Sequence, residues 1–104
     1  MATKRNKAIA ILKNLVNDLE KEFKISDAYL FGSYATGLPG KWSDIDLALV
    51  SPQFKGIRFL DFKKLLPHLR GYPNSLEIHP FKKEDFTSDN LFAKKIVKTG
   101  IKIK

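Results

Sequence analysis

Apolar residues in the first quarter of the chain recur every three or four positions, at Ile9, Leu12, Val16, Leu19 and Phe23. This spacing places side chains on one face of an α-helix, and charged residues occupy much of the rest. The pattern therefore predicts an amphipathic helix over residues 4–24.

Two short apolar runs follow, at residues 28–31 and 45–50. Runs of this length between glycines, serines and prolines are typical of buried strands. Farther along, residues 74–81 alternate apolar Leu76 and Ile78 with polar residues, which predicts a strand with one buried and one exposed or functional face.

Helical spacing returns over residues 57–69, where Pro67 should end or kink the helix near its last turn. A last helix is predicted over residues 90–99. Ser88 or Asp89 could cap its start, and Gly100 should end it.

The last four residues, "IKIK", could add an edge strand. The complete order is helix, strand, strand, helix, strand, helix, strand. It predicts an α/β fold with helices packed on a small mixed sheet.

Length and composition exclude several classes of protein. The 104 residues suffice for a single domain, taken as residues 1–104, but not for a separate substrate domain. There is no cysteine, so disulfides and thiolate zinc sites are excluded. No apolar run approaches the roughly 20 residues that a bilayer requires, so we expect no membrane association and a cytoplasmic location.

The net charge of +8 is unevenly distributed. Residues 1–50 carry seven basic and six acidic residues, whereas residues 51–104 carry twelve and five. A basic surface attracts polyanions and phosphates, although scattered lysines also serve as ordinary solvated surface.

Candidate chemistry begins with Asp44 and Asp46, which are two positions apart at the start of an apolar run. On a strand, their carboxylates would share one face, and a divalent cation would relieve their repulsion. Oxygen ligands favour Mg²⁺ or Mn²⁺. Glu77 would add a third carboxylate if its strand were a neighbour. The alternative is a surface strand with alternating aspartates, or an aspartate that caps the next element.

Gly32 and Ser33 end the strand before this pair. Glycine permits a close approach of backbone to ligand, and serine offers a hydroxyl and an N–H where a helix could start, which suits a phosphate. No lysine follows the second glycine, so the turn is not a Walker loop.

The combination of Gly32-Ser33, ten intervening residues, Asp44-Ile45-Asp46 and a following apolar run resembles the signature of the DNA polymerase β-like nucleotidyltransferase superfamily. The chain is most similar to its minimal single-domain members, through "SYATG", "SDIDL", "EIHPF" and "AKKIVKTGIKI". The resemblance implies the polymerase β-like nucleotidyltransferase fold.

It also implies roles for the matching residues. Asp44, Asp46 and Glu77 would be catalytic and would bind the Mg²⁺ or Mn²⁺ ions that accompany ATP, with Glu77 as a metal ligand or as the base for the attacking hydroxyl. Gly32 and Ser33 would hold the phosphates. The product would be a hydroxyl group carrying AMP.

Other polar residues near these motifs are less informative. His79 lies two residues beyond Glu77 and could contact the substrate, or could be an ordinary hydrogen-bonded histidine. Tyr34, Lys41 and Trp42 lie between the motifs, where one could touch base or ribose or simply be exposed. His68 is expected at the surface.

Single-domain relatives are commonly antitoxins paired with a small helical HEPN protein, an RNase toxin, and some transfer AMP to a tyrosine of that toxin. The resemblance thus implies a HEPN-family partner. One alternative is a binding module that masks its partner or binds nucleic acid through the basic half, with a vestigial metal site. Another is an enzyme that modifies RNA or a small molecule in a pocket formed by a homodimer.

Overall fold

A computed structural model describes residues 3–37, 39–40 and 43–104 of the chain. Lys41 and Trp42 lie outside the described residues. The structure contains four helices, four strands and two 3₁₀ turns in these described ranges: α1 Lys4–Leu19, β1 Asp27–Phe31, α2 Ser33–Thr36, β2 Ile45–Ser51, α3 Arg58–Leu65, a 3₁₀ turn Leu66–Leu69, β3 Leu76–Lys82, a 3₁₀ turn Lys83–Asp85, α4 Leu91–Thr99 and β4 Ile101–Lys102.

The strands form one mixed sheet in the order β3-β2-β1-β4. Strand β1 pairs antiparallel with β2 and β4, and β2 pairs parallel with β3. The predicted mixed α/β architecture is confirmed, including the edge strand formed by the C-terminal residues.

The sheet has an apolar layer on each face. The main core joins α1 and α3 to one face, and it includes the fully buried Leu12, Leu30, Leu47 and Leu65. On the other face, Ile96 of α4 packs with residues of β1 and β2. The central strand β2 is buried on both sides, because its run of apolar residues faces a helical layer above and below the sheet.

Two helix boundaries differ from the sequence-based expectation. Helix α1 ends at Leu19, and a turn carries the chain onward while Phe23 still packs against the core. The apolar period therefore continues past the helix end. Helix α4 is capped by Asn90, not by Ser88 or Asp89; its side-chain oxygen accepts the N–H groups of the first turn at 3.0 and 3.1 Å.

Other boundaries follow the prediction. The α-helical part of the third helix ends at Leu65, and the chain continues as a 3₁₀ turn that contains Pro67. Gly100 ends α4. Among the described segments, every helix is too short or too polar to cross a lipid bilayer.

Candidate active site at one end of the sheet

Pairing of the strands brings the predicted site residues to one end of the sheet. Because β1 runs antiparallel to β2, its last residue Phe31 lies opposite Asp46, near the start of β2. Because β3 runs parallel to β2, Glu77 lies directly beside Asp46 on the other side. The Gly32-Ser33 turn that follows β1 is therefore next to both carboxylates.

Gly32 has a backbone conformation that few other residues tolerate, with φ +75° and ψ −153°. It also lies against Asp46. A Cβ atom built on Gly32 would be 2.4 Å from Asp46 Oδ2. A glycine is thus required here twice, once for the turn and once for the approach of the carboxylate.

The turn continues as the one-turn helix α2, which begins at Ser33 as expected for a helix start. The amides of Ala35 and Thr36 both donate to the Gly32 carbonyl, at 3.0 and 3.1 Å. The earlier N–H groups of a helical turn have no acceptor within the helix. Tyr34 packs its ring against the main core, so it is not simply an exposed loop residue.

Arg5 of α1 secures the far end of this turn. Its Nε donates to the Tyr34 carbonyl at 2.8 Å, and its Nη2 donates to the carbonyls of Ala35 and Gly37 at 3.2 and 3.4 Å. The guanidinium satisfies the last carbonyls of α2, which have no partner within so short a helix. Sequence analysis missed Arg5, because no local pattern links it to a turn 29 residues away.

Asp44 was expected on the strand with Asp46, but β2 begins one residue later, at Ile45, and Asp44 is exposed. Ser43 organises the chain just before it. The Ser43 hydroxyl accepts the Gly40 amide at 2.9 Å, and the Ser43 amide donates to the Gly40 carbonyl at 3.3 Å. Asp44 thus stands at the rim of the site.

Three side chains converge beside the turn. Asp46, Glu77 and His79 each offer one ligand atom, and these atoms lie within 4.8 Å of one another. His79 Nε2 lies 3.3 Å from Asp46 Oδ1 and 3.8 Å from Glu77 Oε1. Two carboxylates and an imidazole are a donor set that suits a divalent cation.

Burial raises the pKa of the Asp46 carboxyl above its ordinary value of 3.8. His79 opposes this change through its hydrogen bond and charge, whereas the neighbouring carboxylates of Glu77 and Asp44 add to it. The concentration of negative charge at this point is therefore unfavourable without a cation.

Aromatic rings hold the imidazole of His79 in place. The ring meets Phe31 edge-on, with centroids 4.9 Å apart, and Phe92 of α4 in the same manner at 6.1 Å. The side chain of His79 is 15% exposed. The two phenylalanines thus direct its Nε2 toward the carboxylates.

On the outer side of the site, Arg58 of α3 lies 3.4 Å from Glu77 Oε1. Both side chains are largely exposed, so the pair is a weak one. They line a groove of about 470 Å³ that runs between α3 and the start of β3; its lining is Arg58, Phe59, Phe62, Leu76, Glu77 and Ile78.

His68, expected at the surface, is partly covered instead. Its ring packs edge-on against Phe23, with centroids 5.5 Å apart, and its Nε2 lies 3.1 Å from Glu22. This contact is part of the layer formed by α1 and the 3₁₀ turn and has no link to the carboxylates.

A family model described as "Nucleotidyltransferase domain" matches residues 12–103. No curated protein matches the chain significantly.

Two solved structures are similar to the chain. A candidate nucleotidyltransferase from Sulfolobus solfataricus has a TM-score of 0.65 and 20% identity, over 94% of this chain and 80% of that chain. The toxin–antitoxin complex MntA-HpeT, in a variant with two aspartates replaced by glutamate, has a TM-score of 0.52 and 21% identity, over 97% of this chain and 73% of that chain. At these identities, the likenesses establish the fold.

Proposed function

This chain belongs to the nucleotidyltransferase domain family, and we propose that it transfers AMP from ATP to a hydroxyl group of a partner protein. The observation that carries the proposal is the register of Asp46 and Glu77 beside the Gly32-Ser33 turn. Nucleotidyl transfer requires carboxylates that hold a cation and a nearby backbone turn that can hold phosphate.

The residues present fit the divalent cation that the family implies. Asp46 and Glu77 supply paired carboxylate oxygens, and exposed Asp44 supplies a further one at the rim. Together they would hold Mg²⁺ or Mn²⁺, which when bound neutralises phosphate charge and stabilises the transition state of the transfer. The raised pKa of the Asp46 carboxyl is consistent with a site built to be occupied by a cation.

Residues of the chain bind the triphosphate, accept the proton and organise the loops of the site. Gly32 and Ser33 hold the triphosphate with backbone N–H groups and the serine hydroxyl. Glu77, the more exposed of the paired carboxylates, takes the proton of the acceptor hydroxyl. The hydroxyl oxygen forms a bond to the α-phosphorus, the bond from that phosphorus to the bridging oxygen breaks, and pyrophosphate leaves. Arg5 and Ser43 preorganise the two loops that carry these groups.

We infer further that the chain acts as an antitoxin, and that its acceptor is a HEPN-type RNase. The structural likeness to a toxin–antitoxin pair supports this inference. A protein acceptor is also favoured by the α3 surface, which we define as the exposed side chains of Ile57, Phe59, Leu60 and Leu66. Phe59 is 71% exposed. The α3 surface borders the groove that leads to Glu77.

Basic side chains near the α3 surface indicate a partner with acidic side chains. Lys55, Lys63 and Lys64 line a shallow pocket beside Leu60, and Arg58 lies at the groove. A helix that presents apolar and acidic side chains complements such a surface, because it would cover the apolar residues and pair with the lysines.

The test uses ATP labelled on the α-phosphate, Mg²⁺, and the protein product of the gene next to this one as the candidate partner. We expect label on the partner with the unaltered chain, and none with the Asp44→Asn, Asp46→Asn double variant. Asp27→Asn serves as the control for loss of a carboxylate away from the site, since Asp27 begins β1 at the opposite end from the site. Phe59→Ser should lower labelling by weakening partner binding.

Other outcomes distinguish the alternatives. Inhibition of the toxin by the double variant, without label in any sample, would replace catalysis with physical masking by a binding module. Label on RNA would identify a nucleic-acid acceptor, to which the basic half of the chain is suited. Label on a small molecule, together with a homodimer in solution, would indicate a pocket shared between two copies.

A further inference from the structure

We propose that His79 is a direct ligand of the divalent cation, so that this site is a mixed nitrogen and oxygen site that takes a first-row transition ion such as Mn²⁺ in preference to Mg²⁺. The inference rests on the proposed function for its cation, and it adds a nitrogen ligand to the carboxylates of Asp46 and Glu77.

His79 Nε2 and Asp46 Oδ1 lie within hydrogen-bond distance, but the bond is a long one, and the same spacing suits two ligands of one ion. A charge-assisted hydrogen bond between histidine and a carboxylate spans about 2.7–2.9 Å, whereas His79 Nε2 is 3.3 Å from Asp46 Oδ1 and 3.8 Å from Glu77 Oε1. Two atoms that share an ion at about 2.1 Å lie about 3.0 Å apart when adjacent and about 4.2 Å apart when opposite. Both observed distances fall within that interval.

Packing against two aromatic rings sets the orientation of the His79 imidazole. Phe31 and Phe92 meet the ring edge-on, and only a small part of the side chain reaches solvent. A ring packed in this way presents its Nε2 to the carboxylates at little further cost in entropy. A cation bound between His79 and Asp46 would also supply the positive charge that compensates the partly buried Asp46 carboxylate.

Ligand chemistry then decides the ion. Mg²⁺ prefers oxygen ligands and retains several waters, while imidazole nitrogen suits transition ions. A three-residue site of this kind should bind Mn²⁺ without nucleotide. Asp44 is not a member of the trio, and it remains available for an ion that arrives with the triphosphate.

The experiment uses the full chain with Mn²⁺ alone, and its main readout is independent of activity. Electron paramagnetic resonance measures the free Mn²⁺ during a titration, and electron spin echo modulation detects ¹⁴N bound to the ion. The chain has two histidines, so His68→Gln is a matched control for His79→Gln.

We expect ¹⁴N modulation in the unaltered protein and in His68→Gln, and its loss in His79→Gln. We expect His79→Gln to weaken Mn²⁺ binding by at least about tenfold, with Mg²⁺ binding little changed. Absence of ¹⁴N modulation in the unaltered protein with Mn²⁺ bound would overturn the proposal, and this measurement needs no variant to fold.

The outcome separates this inference from the proposed function. Nitrogen-bound Mn²⁺ in a chain that transfers no nucleotide would support the ligand assignment and count against the enzyme. Transfer that proceeds with a purely oxygen-bound ion would support the enzyme and refute the role of His79.

Discussion

Replacing Gly32 with alanine puts a methyl group into space that the Asp46 carboxylate now occupies. The new Cβ would lie 2.4 Å from Asp46 Oδ2 and 3.3 Å from Asp46 Cγ. The oxygen must retreat by about 1 Å to restore an ordinary contact. Moving Oδ2 turns the whole carboxylate group, and so also shifts the other oxygen, Oδ1, which lies 3.3 Å from His79 Nε2.

Two effects add to the cost. Alanine at φ +75° and ψ −153° lies in a region that is almost restricted to glycine, with a strain of about 1–3 kcal/mol. Misplacement of a catalytic group by about 1 Å lowers a rate by about 100-fold. We therefore expect Gly32→Ala to be modestly less stable and to lose about 99% or more of its transfer activity.

The matched control is Gly37→Ala, five residues along the same loop. Among the described residues, a Cβ on Gly37 would meet only the Ser33 carbonyl, at 3.8 Å, and Gly37 has an extended backbone that alanine tolerates. Urea unfolding gives the stability of both variants. Titration with Mn²⁺ gives the cation affinity of the site, and the labelled-AMP assay gives its transfer activity.

The specific expectation is that Gly32→Ala loses Mn²⁺ affinity as well as activity, whereas Gly37→Ala keeps both. If Gly32→Ala folded, bound Mn²⁺ and transferred nucleotide as well as Gly37→Ala, the argument that Gly32 is fixed by the Asp46 carboxylate would be refuted.

Three further predictions concern residues around the site. Arg5→Leu should raise the KM for ATP more than it changes kcat, and cost about 1 kcal/mol of stability, because the carbonyls of α2 lose their donors; Arg5→Lys should rescue it only in part. Asp61→Asn should lower the free energy of unfolding by about 2–3 kcal/mol, measured in urea against Asp27→Asn, since the buried Asp61 carboxylate accepts the Lys55 and Gly56 amides. Asp46→Asn should stabilise the metal-free protein at pH 7 and not near pH 3. The pKa of Asp46 is raised in the folded state, so the folded state binds the proton of this carboxyl more tightly than the unfolded chain does. The resulting stabilisation is present below pH 3.8 and is lost as the pH rises through the pKa of the folded state. Unfolding curves of both proteins across this pH range would contradict the prediction if they differed equally throughout.

Local sequence patterns predicted the elements well where packing and local preference agree. The alternation of Leu76 and Ile78 with polar neighbours corresponds to β3, and Gly100 does end α4. Sequence patterns were wrong where several neighbouring residues could each cap the same helix. Asn90 caps α4 although Ser88 and Asp89 are also capping residues, because the choice depends on where the chain leaves the preceding turn.

The spacing of apolar residues could not predict which polar residues are buried. Asp61 falls within a predicted amphipathic helix, where a charged residue is expected on the outside. In the structure it is fully buried, because it satisfies the two amides of the loop that enters α3. Only the path of that loop, bent at Gly56 with its φ of +83°, makes the position suitable for a carboxylate.

The candidate site shows the same division between what is local and what is long-range. Gly32, Asp46 and Glu77 could be chosen by residue type and by resemblance, but their meeting depends on the parallel pairing of β2 with β3, which no local pattern specifies. A slip of one residue in that pairing would turn Glu77 and His79 to the opposite face of the sheet. The buried position of Ile78 opposes such a slip, because it would bring an apolar side chain to the site and carboxylate into the core. The main core therefore holds the strand register of the candidate site, and the same constraint that places Glu77 beside Asp46 also places His79 there.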